Sequence, residues 1–467
     1  MRKMYINEQS YLVNNLIAKV EKAKNLIFET ERTIWENPEI GYKEWKTTAY
    51  LQRVFEKLGY KVDLVGDIPG FTAEISTGRP GPTIAIIAEL DSLLCPEHPE
   101  SDPNTGAVHA CGHHAQSAYL VGCAAAFAQP GALEGLDGSI RFMAVPAEET
   151  IDLEFRDTLI KKGQIHYVAG KVEFLYRGLF DGVDIVLFTH VLPNEEKLFA
   201  IDKGSDGCIT KHFEYLGKAS HAGFAPHEGI NALYAATLGM QACNSLRETF
   251  EEKDYIRFHP VIMQGGVAAN AIPGVVKLDT YVRASTFAKM REVNFKMNRA
   301  LCASAAAIGA NLLIHDIPGN MPLKNDEILS ELFIETVGEI FGEHNVAYRP
   351  WNCGTSDLGD ISCLMPTMHP YVSGAVGTGH GCDYQIADPE KACVNSAKVL
   401  TAMIVKLLSE HGAKAKEIIQ NYMPIFQNKK EYFEAIDSIK MCKKTVSYNA
   451  DGTVVLDFNN NLGGITE

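Results

Sequence analysis

A thiol and an imidazole stand two residues apart in His109-Ala-Cys-Gly-His-His114, immediately before an apolar run with helical spacing. Cys111 and His113 are candidate metal ligands. Side chains two apart on a regular helix point away from each other, so both can face one ion only if the backbone is still turning as it enters a helix near Ala115. Gly112 permits that turn. A helix N-terminus and a bound cation each favour the thiolate that a metal requires. The same residues also suit a core thiol beside a hydrogen-bonded histidine, and the rest of the chain decides between the two.

The elements around this motif carry more polar groups to the same kind of place. Helical patterns over 8–36 and 44–58 lead into short β-rich runs at 62–65, 71–75 and 83–88, the last almost wholly apolar and so suited to a strand buried on both faces. That strand ends at Glu89-Leu-Asp91. A strand over 139–145 ends at Pro146-Ala-Glu148-Glu149, and one over 183–190 ends at His190. Acid or imidazole groups at three strand ends match the edge of an open α/β sheet where ligands bind. Strands alternating with helices predict a mixed sheet clad in helices. Between 204 and 318 the texture changes to an α+β insert. It has strands at 208–216, 258–264 and 275–284, and helices from Glu228 and Ala288. The first of these helices places Ile230, Leu233, Tyr234 and Leu238 on one face. The expected organisation is a catalytic domain in two parts, 1–203 and 319–411, an inserted α+β lid or dimerisation domain over 204–318, and a tail over 412–467 with one short strand at 453–458.

Composition narrows the function classes. The chain has 467 residues, 46% hydrophobic and 22% charged, which is ordinary for a globular protein. A formal net charge of −15 without a basic cluster argues against nucleic-acid binding, and no apolar run approaches a membrane span. The start of the chain lacks the apolar stretch of a secretory signal. Eleven cysteines without framework spacing predict free thiols in a reducing cytoplasm.

Cys111, His113, Glu149, His190 and His380 together offer one thiolate, one carboxylate and three imidazoles, enough for two adjacent ions if the thiolate bridges. Two ions suit hydrolysis, because one polarises a carbonyl while both lower the pKa of a shared water. Glu148 could then take the proton of that water as general base. Several segments in order resemble the M20 metallopeptidase family, in its cysteine-bridged amidohydrolase branch. They are Asn37-Pro-Glu-Ile-Gly41, Leu90-Asp-Ser-Leu93, His109-Ala-Cys-Gly-His113, Pro146-Ala-Glu-Glu149, Gly217-Lys-Ala-Ser-His221, Gly229-Ile-Asn-Ala232, Gly265-Gly266, Asn270-Ala-Ile-Pro273 and Gly377-Thr-Gly-His380. Ser356-Asp-Leu-Gly-Asp-Ile-Ser362 brings the chain closest to aminobenzoyl-glutamate hydrolases and N-acyl amino acid or dipeptide hydrolases.

The resemblance implies that those five residues bind two divalent ions and that Glu148 is the acid/base. Zn²⁺ suits the thiolate, while Mn²⁺, Co²⁺ or Ni²⁺ suit the imidazole and carboxylate donors. It further implies that His221 reaches the partner subunit's site to stabilise the oxyanion with help from Asn270. Arg283 would clasp a substrate carboxylate, and a homodimer would form through the insert. The expected substrate is a small N-acyl amino acid, an aminobenzoyl-glutamate-like compound or a dipeptide.

Departures from the family pattern bear on these roles. His114 stands where relatives have Asp or Asn, and a longer segment beginning Ile151-Asp-Leu-Glu-Phe-Arg156 replaces a glycine-rich stretch, reshaping the substrate pocket. Cys95, His98, His109, His114, His369 and Cys382 are left out of the ligand set; a loop histidine such as His98 is expected to be solvated. Two other readings stay open: a non-catalytic metal- or ligand-binding relative or partner subunit, and a thiol hydrolase using Cys111 with His113. Glu148 argues against the first. The second leaves Glu149, His190 and His380 unexplained.

Overall fold

The computed structural model describes residues 2–458 and contains two units. The first takes the chain up to Lys203, with Lys324–Pro350 and Asp360–Ile425; the second takes Gly204–Leu323, Trp351–Gly359 and the chain from Phe426 onward. The insert read over 204–318 thus extends to Leu323. Ala413–Asn421, from the segment read as a tail over 412–467, falls in the first unit, whereas Lys429–Asp437 and later strands fall in the second. Residues 459–467 of that expected tail lie outside the described residues.

In the first unit the apolar run becomes the strand Thr83–Glu89, with Ile84–Ala88 all buried. It lies parallel between Ser139–Val145 and Ile185–Leu187; Phe71–Ser76 joins the far edge of Ser139–Val145 antiparallel, followed by Val62–Leu64. The sheet is therefore mixed. Against Thr83–Glu89 packs the helix His113–Phe127, all of whose residues are buried because the helices Lys24–Trp35 and Ser396–Leu408 cover its other sides. A helix enclosed in this way is apolar all round. The helical pattern of 8–36 breaks at Ala23, giving Arg2–Lys22 and Lys24–Trp35.

A second sheet in this unit corrects the strand expected over 183–190. Ile185–Leu187 ends in the first sheet, and His190 opens a separate strand, His190–Pro193, parallel to Pro370–Val376. The apolar run passes through Phe188 without a turn residue, so the change of sheet leaves no mark in the pattern. Phe199–Asp202, Val346–Arg349 and Gln385–Ile386 complete the second sheet.

The second unit is a five-stranded antiparallel sheet in the order Val261–Gln264, Val275–Ala284, Gly207–Leu216, Asn311–Pro318, Met441–Lys444. Helices Ala232–Ser245 and Phe287–Ile308 pack together. The helix read from Glu228 starts at Ala232, after Asn231 caps it by accepting from the Leu233 and Tyr234 amides at 3.0 and 3.1 Å. Its buried face is Ala232, Ala235, Ala236, Gly239 and Cys243, opposite the larger apolar set, so Tyr234 and Leu238 are exposed. Small residues let the two helices approach closely; a Cβ on Gly239 would collide with Tyr215 Oη and stand 2.7 Å from Ser304 Oγ.

Candidate metal centre and active site

Gly112 adopts φ 93°, in the left-handed region, as the chain turns into the helix that begins at His113. A Cβ there would lie 2.5 Å from Tyr384 Oη, so the position needs glycine for both conformation and space. The turn carries Cys111 and His113 to one place. His190 Nε2 stands 3.5 Å from Cys111 Sγ while its Nδ1 donates to Val191 O at 2.9 Å. His113 Nδ1 donates to Asp91 O at 2.8 Å. In both rings the bonded Nδ1 leaves Nε2 as the donor atom for a metal.

Ligand atoms of Cys111, His113 and His190 lie within 4.8 Å of one another, as do those of Cys111, Glu149 and His380, and those of His113, Glu148 and Glu149. Two donor sets therefore share Cys111. His380 Nε2 is 3.2 Å from Glu149 Oε1. His113 Nε2 faces Glu89 and Glu149 Oε1 faces His380, neither in good hydrogen-bond geometry, and a cation between them would take both atoms as donors. Burial, then the Glu149 carboxylate, pushes the Cys111 thiol well above its ordinary range. Burial works against a charged His113, but the Cys111 sulfur, Glu89 and Asp91 raise it well above the usual imidazole value. Protons held on the thiol and the imidazole are ones a metal displaces on binding. The donor types and the unsatisfied atoms fit two divalent cations.

The carboxylates hang from a strained turn. Ala147, which precedes Glu148, has φ 59°, and its amide donates to Glu44 Oε1 at 2.8 Å. The Glu149 amide donates to Asp91 Oδ2 at 2.9 Å. His380 is also left-handed, at φ 63°, with its amide bonded to Ala110 O at 2.9 Å. Non-glycine residues in this region cluster where surrounding structure over-determines a site.

His221, Asn270 and Arg283 lie in the second unit. Ser220–His221 pairs with Ala271–Ile272, and the Ala222 amide bonds Asn270 O at 2.9 Å, so His221 and Asn270 are neighbours. His221 Nδ1 accepts from the Gly223 and Phe224 amides at 3.2 and 3.0 Å, which puts the ring proton on Nε2 as an available donor. Arg283 is half-buried, donates to Cys353 O at 2.7 Å and stacks on Tyr281; its Nε makes no hydrogen bond.

Two residues beside the ligands had no role assigned from sequence. Glu89, expected only as a strand-end acid, lies 3.1 Å from His113 Nε2 and accepts from Lys171. Lys171 belongs to the helix Gly170–Tyr176 within the departing segment; a lone lysine gives no signal of burial. His98 is buried rather than solvated, its Nε2 bonded to Tyr384 O at 2.9 Å and its ring against Trp35. His114 Nε2 stands 3.3 Å from Glu31 Oε1. Among the described residues no single helix is long and apolar enough to cross a membrane.

A family model described as a peptidase dimerisation domain matches residues 204–307. The chain is 29% identical over 371 residues to a human (Homo sapiens) protein named Xaa-Arg dipeptidase, spanning 75% of this chain and 77% of the relative. It is 26% identical over 318 residues to an N-acyl-L-amino acid amidohydrolase of Geobacillus stearothermophilus, spanning 66% and 80%. The fold matches that of Bacillus subtilis YXEP, a protein titled a dinuclear metal-binding peptidase of the M20 family. That match has a TM-score of 0.66 at 20% identity and covers 83% of this chain and 99% of the other.

Proposed function

We propose that the chain is an M20-type metallopeptidase, a hydrolase of amide bonds, and that it cleaves a small N-acyl amino acid or dipeptide at a two-metal site, a reading supported by its dimerisation-domain match and its relatives. The observation that carries this reading is the pair of donor sets joined at Cys111 with Glu148 alongside. Cys111, His113, Glu149, His190 and His380 would hold the ions. When bound, such ions polarise the scissile carbonyl and acidify water; the donor set accepts Zn²⁺, Mn²⁺, Co²⁺ or Ni²⁺.

Glu148 takes a proton from the attacking water and returns it to the departing amine. We assign His221, a donor through Nε2, and its neighbour Asn270 to the developing oxyanion. Arg283 is assigned to a substrate carboxylate, a role supported by its fork geometry and unpartnered Nε. The exposed Tyr234 and Leu238 face in the matched dimerisation segment supports a homodimer, and eleven unpaired cysteines support a cytoplasmic setting.

The test is hydrolysis of aminobenzoyl-glutamate, N-acetyl-methionine and alanyl-arginine by chelator-stripped protein, with and without added Zn²⁺ or Mn²⁺, beside Glu148→Gln. Turnover restored by metal and lost in the variant is the expected result. Metal bound stoichiometrically with no panel member cleaved would refute the assignment.

A further inference from the structure

The segment that replaces the family's glycine-rich stretch carries Arg156, on the helix Leu153–Lys161, and this side chain is fully buried. Its guanidinium donates through Nη1 to Val168 O at 2.6 Å and to Ala147 O at 3.4 Å, and through Nη2 to Glu149 O. Ala147 and Glu149 are the residues on either side of Glu148. Burying a guanidinium costs several kcal/mol of desolvation unless its protons are well used; here both terminal nitrogens are used on backbone carbonyls, two of them on the turn that carries Glu148 and one at Val168, while Nε makes no hydrogen bond.

The rest of that turn is held as well. Ala147 N is bonded to Glu44, Ala147 O also accepts from the Gly170 amide at 3.1 Å, and Glu149 N is bonded to Asp91. The left-handed φ of Ala147 is a conformation such a set of bonds can enforce. Gly41, in the Asn37-Pro-Glu-Ile-Gly41 segment, makes room for the arrangement: a Cβ on it would collide with Arg156 Nη2 and stand 3.0 Å from Ala147 Cα. The Tyr42 ring lies 5.5 Å from the guanidinium carbon.

We propose that Arg156 is a positioning residue that clamps the carbonyls flanking Glu148 and so fixes the direction from which its carboxylate meets the reacting amide. The substituted segment then supports the proton-transfer group as well as shaping the pocket. This rests on the reading of Glu148 as acid/base. A misdirected base slows the chemical step with little effect on ground-state binding.

The experiment compares Arg156→Met and Arg156→Lys with the unsubstituted full chain, metal-loaded, on whichever of the three panel amides it cleaves, with Glu148→Gln as control. Arg156→Met should lower kcat about 10- to 100-fold, with KM and bound metal per chain within about twofold. Its thermal midpoint should fall by a few degrees, since the Val168 and Glu149 carbonyls lose their donor. Arg156→Lys, which keeps charge but not the fork, should recover part of the lost kcat. Unchanged kcat in Arg156→Met overturns the clamp. So does a kcat that falls only in step with metal content or thermal midpoint in both variants. If Glu148→Gln keeps full turnover, the acid/base reading fails and the clamp fails with it, a result distinguishable from failure of the clamp alone.

Discussion

The Glu89 carboxylate lies between a buried lysine and a candidate metal ligand: its Oε2 lies 3.1 Å from His113 Nε2, and its Oε1 accepts from Lys171 Nζ. Gln116 Nε2 also donates to Oε2, at 2.8 Å. Burial opposes ionisation of Glu89, but Lys171, His113 and His190 outweigh it and hold the carboxyl well below its usual range. The charge is thus fixed beside the candidate metal ligands.

Lys171→Met should therefore remove the lysine that compensates a buried carboxylate and destabilise the protein by about 3–5 kcal/mol. Chemical denaturation measures the loss. Adding Glu89→Gln should recover most of it, because the uncompensated charge is gone; an additive further loss would show that the pair is not coupled.

Cys111 belongs to both donor sets, whereas His380 belongs to one. Cys111→Ala should weaken retention of both ions, and His380→Ala should leave one set intact and retain metal at roughly half the stoichiometry. Dialysis against a weak chelator followed by elemental analysis separates the two patterns. Equal metal content in both variants would contradict the sharing of Cys111.

In the second unit, burial raises Asp206 to about 6, while Trp351 Nε1 donates to its Oδ1 at 2.8 Å. In the unfolded chain this carboxyl ionises near 4. Its raised folded value therefore contributes stability that is present below pH 4 and lost as the pH rises to about 6. Asp206→Asn should remove that decline, giving a difference in unfolding free energy that changes by no more than about 1.4 kcal/mol per pH unit across the window. Parallel stability curves at pH 4 to 6 would refute it.

Tyr234 and Leu238 are exposed on the helix Ala232–Ser245, and Met263 is exposed on the outermost strand Val261–Gln264. Paired substitution to Tyr234→Glu and Leu238→Glu should convert a dimer to a monomer at micromolar concentration, read by light scattering. A charge pair costs little on a solvated helix face and several kcal/mol in an apolar contact, so unchanged mass would mean this face is not the interface.

Much of the site was legible because its chemistry is local. Cys111 and His113 announce themselves by spacing, and Glu148-Glu149 by standing at the end of an apolar strand. The central strand follows from an almost unbroken apolar run, and the inserted α+β unit from a change of texture. What escaped depends on distant packing. Glu89 and Lys171 are 82 positions apart in sequence, and nothing local marks either as half of a buried pair. Arg156 reads as one more charged residue of the departing segment. The capping role of Asn231 was hidden behind the family segment it belongs to. Met441–Lys444 went unseen because a four-residue edge strand ending in two adjacent lysines looks polar and irregular, the composition that protects sheet edges from unwanted pairing.

That last strand has a consequence for how the molecule is made. Met441–Lys444 lines the outer edge of a sheet whose other strands lie between Gly207 and Pro318, and the first unit likewise draws its core helix Ser396–Leu408 from late in the chain. During synthesis neither unit can close until those residues have left the ribosome. The nascent chain must therefore carry an open sheet edge and a half-covered helix His113–Phe127 for most of its translation, the interval in which aggregation competes with folding.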